Sequence, residues 1–130
     1  MLEKRVNKVL LGIGSNLGNK RHNIEKAKFF FKKSRDLNIQ KTSNYYKTKS
    51  WPDPNKPYYL NIVIEIETKL KPLDLLIFIK QIEKKIGRKS SAKNSPRECD
   101  IDILDYKQKC LNLSKNGISV ITPHPRLHNR

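Results

Sequence analysis

The chain has 130 residues, 28 of them Lys or Arg against 12 Asp or Glu, for a formal charge of +16. That length suits one compact domain, residues 1–130, and no apolar run approaches the roughly 20 residues of a membrane helix. Hydrophobic residues make up 36% of the chain and cluster in short periodic runs, which argues against wholesale disorder, while two lone cysteines, Cys99 and Cys110, argue against a disulfide scaffold or a zinc site.

In chain order, Val6 to Ile13 reads as a buried strand that runs into turn-forming residues around Gly12, Gly14, Ser15, Asn16 and Gly18. From His22 to Ser34 the spacing of Ile24, Ala27, Phe30 and Phe31 is helical. Ile39 to Tyr46 is a second strand, and Thr48 to Pro57, with three prolines, is a loop. Tyr59 to Thr68 alternates apolar and polar residues, the mark of a half-exposed strand. Pro72 opens a second helix with Leu75, Leu76, Ile79, Ile82 and Ile86 on its apolar face and Gly87 at its end. Arg88 to Arg97 is a polar loop. Glu98 to Leu104 resumes alternation, and Lys109–Leu113 with Ile118–Thr122 forms a hairpin. Strand, helix, strand, strand, helix, strand is the α+β, ferredoxin-like order: an antiparallel sheet with helices packed on one side.

The apolar stretch Val9 to Ile13 is too short for a signal-peptide core, so the expectation is a soluble cytoplasmic domain. The positive charge invites a nucleic-acid partner. The cations are mostly lysines scattered from Lys4 to Arg130, however, and the richness in Lys, Asn and Ile favours compositional drift over a dedicated surface.

The sharpest local feature is Asp100-Ile101-Asp102. Two carboxylates two apart on a strand project to one side, about 6 to 7 Å apart at the backbone. They are either two solvated side chains or a seat for Mg²⁺, which takes few protein oxygens and fills its shell with water and phosphate. Arg88, Arg97, Arg126 and Arg130 are the minority cations, and their forks suit phosphate oxygens. Acid pair and arginines together are the parts of a phosphoryl-transfer site. The stretch Gly12 to Gly18, between a strand and a helix, is either a phosphate-binding loop or a tight structural turn. His124, held between two prolines, and Asn61, inside a strand beside Tyr59, each admit a structural and a functional reading.

Taken together, these segments resemble the 6-hydroxymethyl-7,8-dihydropterin pyrophosphokinases of folate biosynthesis. The resemblance rests on Leu11 to Gly18, Ser43 to Thr48, Pro57 to Asn61, Ile82-Glu83 through Gly87-Arg88, Ser95-Pro96-Arg97-Glu98-Cys99-Asp100-Ile101-Asp102-Ile103-Leu104, and Pro123 to Arg126 with Asn129-Arg130. It implies transfer of a pyrophosphoryl group from ATP to the hydroxymethyl of a reduced pterin, giving AMP; the expectation beside it is a monomer with no nucleic-acid or membrane partner. Asp100 and Asp102 would hold two Mg²⁺ ions. Arg88 and Arg97 would share in catalysis, and Glu83, Arg88, Arg97, His124 and Arg130 would serve ATP. Thr48, Tyr59 and Asn61 would line the pterin pocket, Tyr59 stacking on the ring and Asn61 reading its edge.

The sequence departs from the family pattern in three places. Lys89 to Ser95 lacks the second arginine and the Trp-Gly of the nucleotide loop, where Lys89 or Lys93 would act as point charges. Lys49-Ser50-Trp51 replaces a proline- and glycine-bearing stretch, so Trp51 either covers the pterin or packs on the surface. The match ends at Arg130, before the family's phenylalanine on the other side of the pterin stack. Two further readings follow: a shortened relative that binds nucleotide or pterin with weak or no turnover, and a basic RNA-binding module with Tyr45, Tyr46, Tyr58 and Tyr59 as stacking platforms.

Overall fold

The computed structural model describes residues 6–49, 55, 57–87, 98–106, 111–115 and 118–122, the last two segments as backbone alone. Among the described residues seven strands and two helices follow one another: β1 (Asn7–Ser15), α1 (Lys20–Lys33), β2 (Leu37–Thr42), β3 (Tyr46–Thr48), β4 (Tyr59–Thr68), α2 (Pro72–Lys85), β5 (Asp100–Tyr106), β6 (Leu111–Lys115) and β7 (Ile118–Thr122). The main sheet runs β2-β4-β1-β5, with β3 continuing beside β4, and every pairing is antiparallel. This is the ferredoxin-like order the alternation implies. The hairpin β6–β7 forms a separate two-stranded sheet.

Strict period-two alternation divides each central strand between two faces. On one face Val9, Leu11 and Ile13 of β1, Ile62, Ile64 and Ile66 of β4, and Ile101 and Ile103 of β5 are all buried. They pack with Ile24, Ala27 and Phe31 of α1 and Leu75, Ile79 and Ile82 of α2 into one cluster. Both helices lie on that side because each carries a single apolar stripe at helical spacing. Asn19 caps α1 by accepting the His22 N–H on its side-chain oxygen at 3.2 Å. Pro72 opens α2, and Gly87, in the left-handed region at φ 114°, follows its end.

Two expectations change. The single strand over 39–46 is two strands, because the chain leaves the ladder at Ser43, Asn44 and Tyr45. Ser43 bridges the gap with two bonds to Val63: its N–H donates to the Val63 carbonyl, and its Oγ accepts the Val63 N–H, each at 2.8 Å. The second change is at the glycines. Gly12 and Gly14 do not form a turn; β1 continues through both to Ser15, and only Gly18, at φ 73°, takes a turn conformation. The two glycines are strand residues whose missing side chains admit neighbours. A Cβ on Gly14 would lie 2.8 Å from Asn61 Oδ1 and 3.2 Å from the Tyr59 ring, and one on Gly12 would lie 3.3 Å from Leu104.

Candidate active site

The face of the sheet away from the helices carries the polar residues. Partners directly opposite in an antiparallel ladder share a face, so the register aligns Tyr46, Asn61, Gly14 and Asp100 in one row across β3, β4, β1 and β5. The next row holds Val63, Gly12 and Asp102. Asp100 and Asp102 are half-buried and project to one side, while Cys99, Ile101 and Ile103 turn to the core. Each aspartate lies opposite a glycine in the ladder, and the space those glycines leave is taken by Asn61 and Tyr59 beside Gly14 and by Leu104 beside Gly12.

Asn61 is only 1% exposed. Its Nδ2 donates to Thr48 Oγ1 at 2.9 Å, to the Tyr59 carbonyl at 3.2 Å and to the Tyr46 carbonyl at 3.3 Å. Two of these partners are carbonyls and can only accept, so the amide orientation is fixed by chemistry. Asn61 Oδ1 consequently points to the other side, toward Gly14, and no donor among the described residues reaches it. A buried acceptor without a donor is costly in a folded protein and marks a place where a ligand can supply one. Tyr59 lies beside this oxygen, its ring edge over Gly14. Thr48 is half-buried and retains its own O–H as a donor.

Glu83, on the last turn and a half of α2, is 1% exposed. Its Oε2 accepts the Ile101 N–H at 2.7 Å, between the two aspartates, and Lys80 Nζ lies 3.4 Å from Oε1. The remaining residues assigned to ATP by resemblance, Arg88, Arg97, His124 and Arg130, lie outside the described residues, as do Lys89, Lys93 and Trp51.

The interruption between β2 and β3 has its own anchor. The Tyr45 hydroxyl donates to Glu25 Oε2 on α1, and the Arg21 guanidinium lies over the Tyr45 ring, 4.6 Å from its centre. Burial, then the bond to Glu25, pushes the Tyr45 hydroxyl up to about 12. The same bond holds the Glu25 carboxyl below its ordinary value, against a smaller opposing effect of burial. Tyr46 and Thr48, which receive the Asn61 amide, follow directly in the chain. Neither this anchor nor the part played by Gly14 was read from the sequence. Glycine at alternate positions, 12 and 14, on either side of Ile13 was the available sign of close approach.

The carboxylate pair suits Mg²⁺ by the chemistry of its donors. Hard oxygens are what this ion takes, one or two carboxylates suffice when phosphate and water complete the shell, and no group of three or more His, Cys, Asp or Glu competes for a metal among the described residues. No helix among the described residues is long and apolar enough to cross a membrane.

Known proteins resemble this chain over most of its length. Residues 10–130 match the family model for 7,8-dihydro-6-hydroxymethylpterin-pyrophosphokinase. The chain is 41% identical over 122 residues to a 2-amino-4-hydroxy-6-hydroxymethyldihydropteridine pyrophosphokinase of Aquifex aeolicus, covering 94% of this chain and 72% of the relative. It is 29% identical to the protein of the same name from Bacillus subtilis, covering 92% of this chain and 70% of the relative. A folate synthesis bifunctional protein of Chlamydia muridarum is 39% identical over 95% of this chain, which matches 28% of that longer relative.

Proposed function

Because the chain belongs to the 7,8-dihydro-6-hydroxymethylpterin-pyrophosphokinase family, we propose that it transfers the terminal pyrophosphoryl group of ATP to the hydroxymethyl of 6-hydroxymethyl-7,8-dihydropterin. The hydroxymethyl oxygen bonds to the β-phosphorus of ATP, the bond from that phosphorus to the α,β-bridging oxygen breaks, and AMP leaves. The hydroxyl proton is released to solvent.

The observation that carries this reading is the buried Asn61 acceptor in the same row as Asp100. Dihydropterin presents an amino group and a ring N–H along one edge, the donors Asn61 Oδ1 lacks. Tyr59 then covers the ring, and Thr48 fixes the amide. From Asn61 through Gly14 to Asp100 is two strand spacings, about 10 Å, a distance suited to a bicyclic ring with its hydroxymethyl arm directed at the carboxylates. Asp100 and Asp102 would hold two Mg²⁺ ions. When bound, these ions supply neutralisation of phosphate charge and a lowered pKa for a coordinated oxygen. Arg88, Arg97, His124 and Arg130 would neutralise the triphosphate, with Arg88 and Arg97 acting on the transferring group. Catalysis is then positioning plus charge neutralisation, with the pterin held by shape and hydrogen bonds.

The deciding experiment measures AMP release with ATP and hydroxymethyldihydropterin together and with each alone, in the presence and absence of Mg²⁺. AMP formed only with both substrates and metal is the expected result. Calorimetric binding of either substrate without AMP formation would replace the transferase by a binding-only relative.

A further inference from the structure

We propose that Glu83 is a positioning residue: its carboxylate pins the outer edge of β5 between Asp100 and Asp102 and thereby sets the affinity of that pair for a divalent cation. This rests on the reading of the two aspartates as cation ligands. It differs from a direct contact between Glu83 and nucleotide.

The argument starts from sheet order. In the order β2-β4-β1-β5, β5 is terminal, so among the described residues it has a strand partner on one side only. In an antiparallel ladder every second residue turns its N–H away from the neighbour. Ile101, opposite Ile13, is such a residue, because its N–H goes to Glu83 Oε2 at 2.7 Å. The α2 carboxylate therefore stands where a further strand's carbonyl would stand. The pinned amide belongs to the residue between the two aspartates, so one bond fixes the backbone from which both project. An ionised acceptor makes a shorter and stronger bond than a neutral one, which suits a segment that must not shift when charge is placed on it.

The setting also argues against direct ligand contact. Glu83 is 1% exposed and shares a helix face with Ile79 and Ile86, four residues before and three after it, both members of the core cluster. Its charge is offset by Lys80, whose ammonium lies 3.4 Å from Oε1. A carboxylate aimed at a polyphosphate would repel it, whereas one aimed at a backbone amide orients the carboxylates that carry the cation.

Two variants separate reach from charge. Glu83→Gln keeps a carbonyl oxygen at the same reach and removes the charge; Glu83→Asp keeps the charge and withdraws it by one methylene. The readout is Mn²⁺ affinity, followed by the paramagnetic resonance of free Mn²⁺ in the presence of α,β-methylene-ATP, with far-ultraviolet circular dichroism confirming the fold. Glu83→Asp is expected to weaken Mn²⁺ binding by about 10- to 100-fold, the usual effect of losing an outer-sphere partner, and Glu83→Gln, which keeps a weaker neutral bond, to fall between Glu83→Asp and wild type. The reverse order, or equal affinity in all three proteins, overturns the proposal. Wild-type protein that binds Mn²⁺ with the nucleotide analogue yet makes no AMP from ATP and hydroxymethyldihydropterin would refute pyrophosphoryl transfer, and the order of the two variants would still decide the role of Glu83.

Discussion

The two faces of the main sheet are built from the same three strands and differ in almost everything else. The helix side is a wall of Val, Leu and Ile in which no member from Val9 to Ile103 is more than 5% exposed. The other side has Gly12 and Gly14 where side chains would be, Asn61 with an acceptor oxygen that meets no donor among the described residues, and Asp100 and Asp102 half-buried at the edge. Residues adjacent in sequence thus serve opposite purposes, since one step along a strand reverses the face. Ile101 fills the core while its neighbours on both sides carry charge. Stability and chemistry are separated by parity, and substitutions on the two faces should fail in different ways.

The largest effect should come from the open face. Asp102→Ala removes half of the carboxylate pair and is expected to lower kcat by at least a hundredfold, about 3 kcal/mol or more of transition-state stabilisation. Its melting temperature should fall far less than that of a core variant, because the half-buried side chain lies on the open face and its loss leaves no cavity among the helix-side residues. Steady-state AMP release alongside a thermal melt checks both halves. A large fall in stability with turnover retained would erase the division between the faces.

The helix face should show the opposite pattern. Ile64 is fully buried in the centre of β4, so Ile64→Ala leaves a cavity and should lower stability by about 3 kcal/mol. Turnover per folded molecule should hardly move. Urea unfolding gives the first quantity, and kcat measured well below the transition gives the second.

The same contrast explains what could be read in advance. Period-two and helical spacing are properties of the chain itself, so the order of elements, the buried isoleucines and the common side of Asp100 and Asp102 follow directly from it. Tyr59 to Thr68 and the proline start of the second helix fall where the pattern puts them. What escaped the pattern depends on contacts distant in sequence. The glycines of β1 suggested a turn because glycine does favour turns, and only the approach of Asn61 and Leu104 from other strands explains them inside a strand. The break at Ser43 to Tyr45 is sustained by Val63 and Glu25, 20 residues away in each case. Glu83 sits on the apolar side of its helix, and nothing local indicates that a backbone amide of β5 waits for it.

Gly14 tests the boundary between the faces more gently. An alanine there would place its methyl 2.8 Å from Asn61 Oδ1, closer than unrelated atoms approach, so the amide must rotate or the strands must part. The expected loss is roughly one hydrogen bond to the pterin, raising its KM several-fold up to about tenfold. The KM for ATP should change little. If both constants rose together, Asn61 would be serving the sheet as a whole and the pterin reading of its oxygen would fail.

The smallest expected effect belongs to the anchor that holds the interrupted edge. Tyr45→Phe removes the hydroxyl bonded to Glu25 and should cost about 1 kcal/mol, as an ordinary hydrogen bond does. The pH dependence carries more information than the magnitude. Tyr45 in the folded chain ionises at about 12, above its ordinary 10, so its contribution is complete below about pH 10 and is lost as pH rises toward 12. Glu25 is shifted downward; its contribution is present above its ordinary value near 4.5 and is lost as pH falls through the lowered value. The difference in unfolding free energy between wild type and Tyr45→Phe should therefore form a plateau at neutral pH that shrinks toward both ends. A difference that stayed constant from pH 9 to pH 12 would show that the hydroxyl contributes by packing alone, and the edge carrying Tyr46 and Thr48 would then owe its position to Ser43.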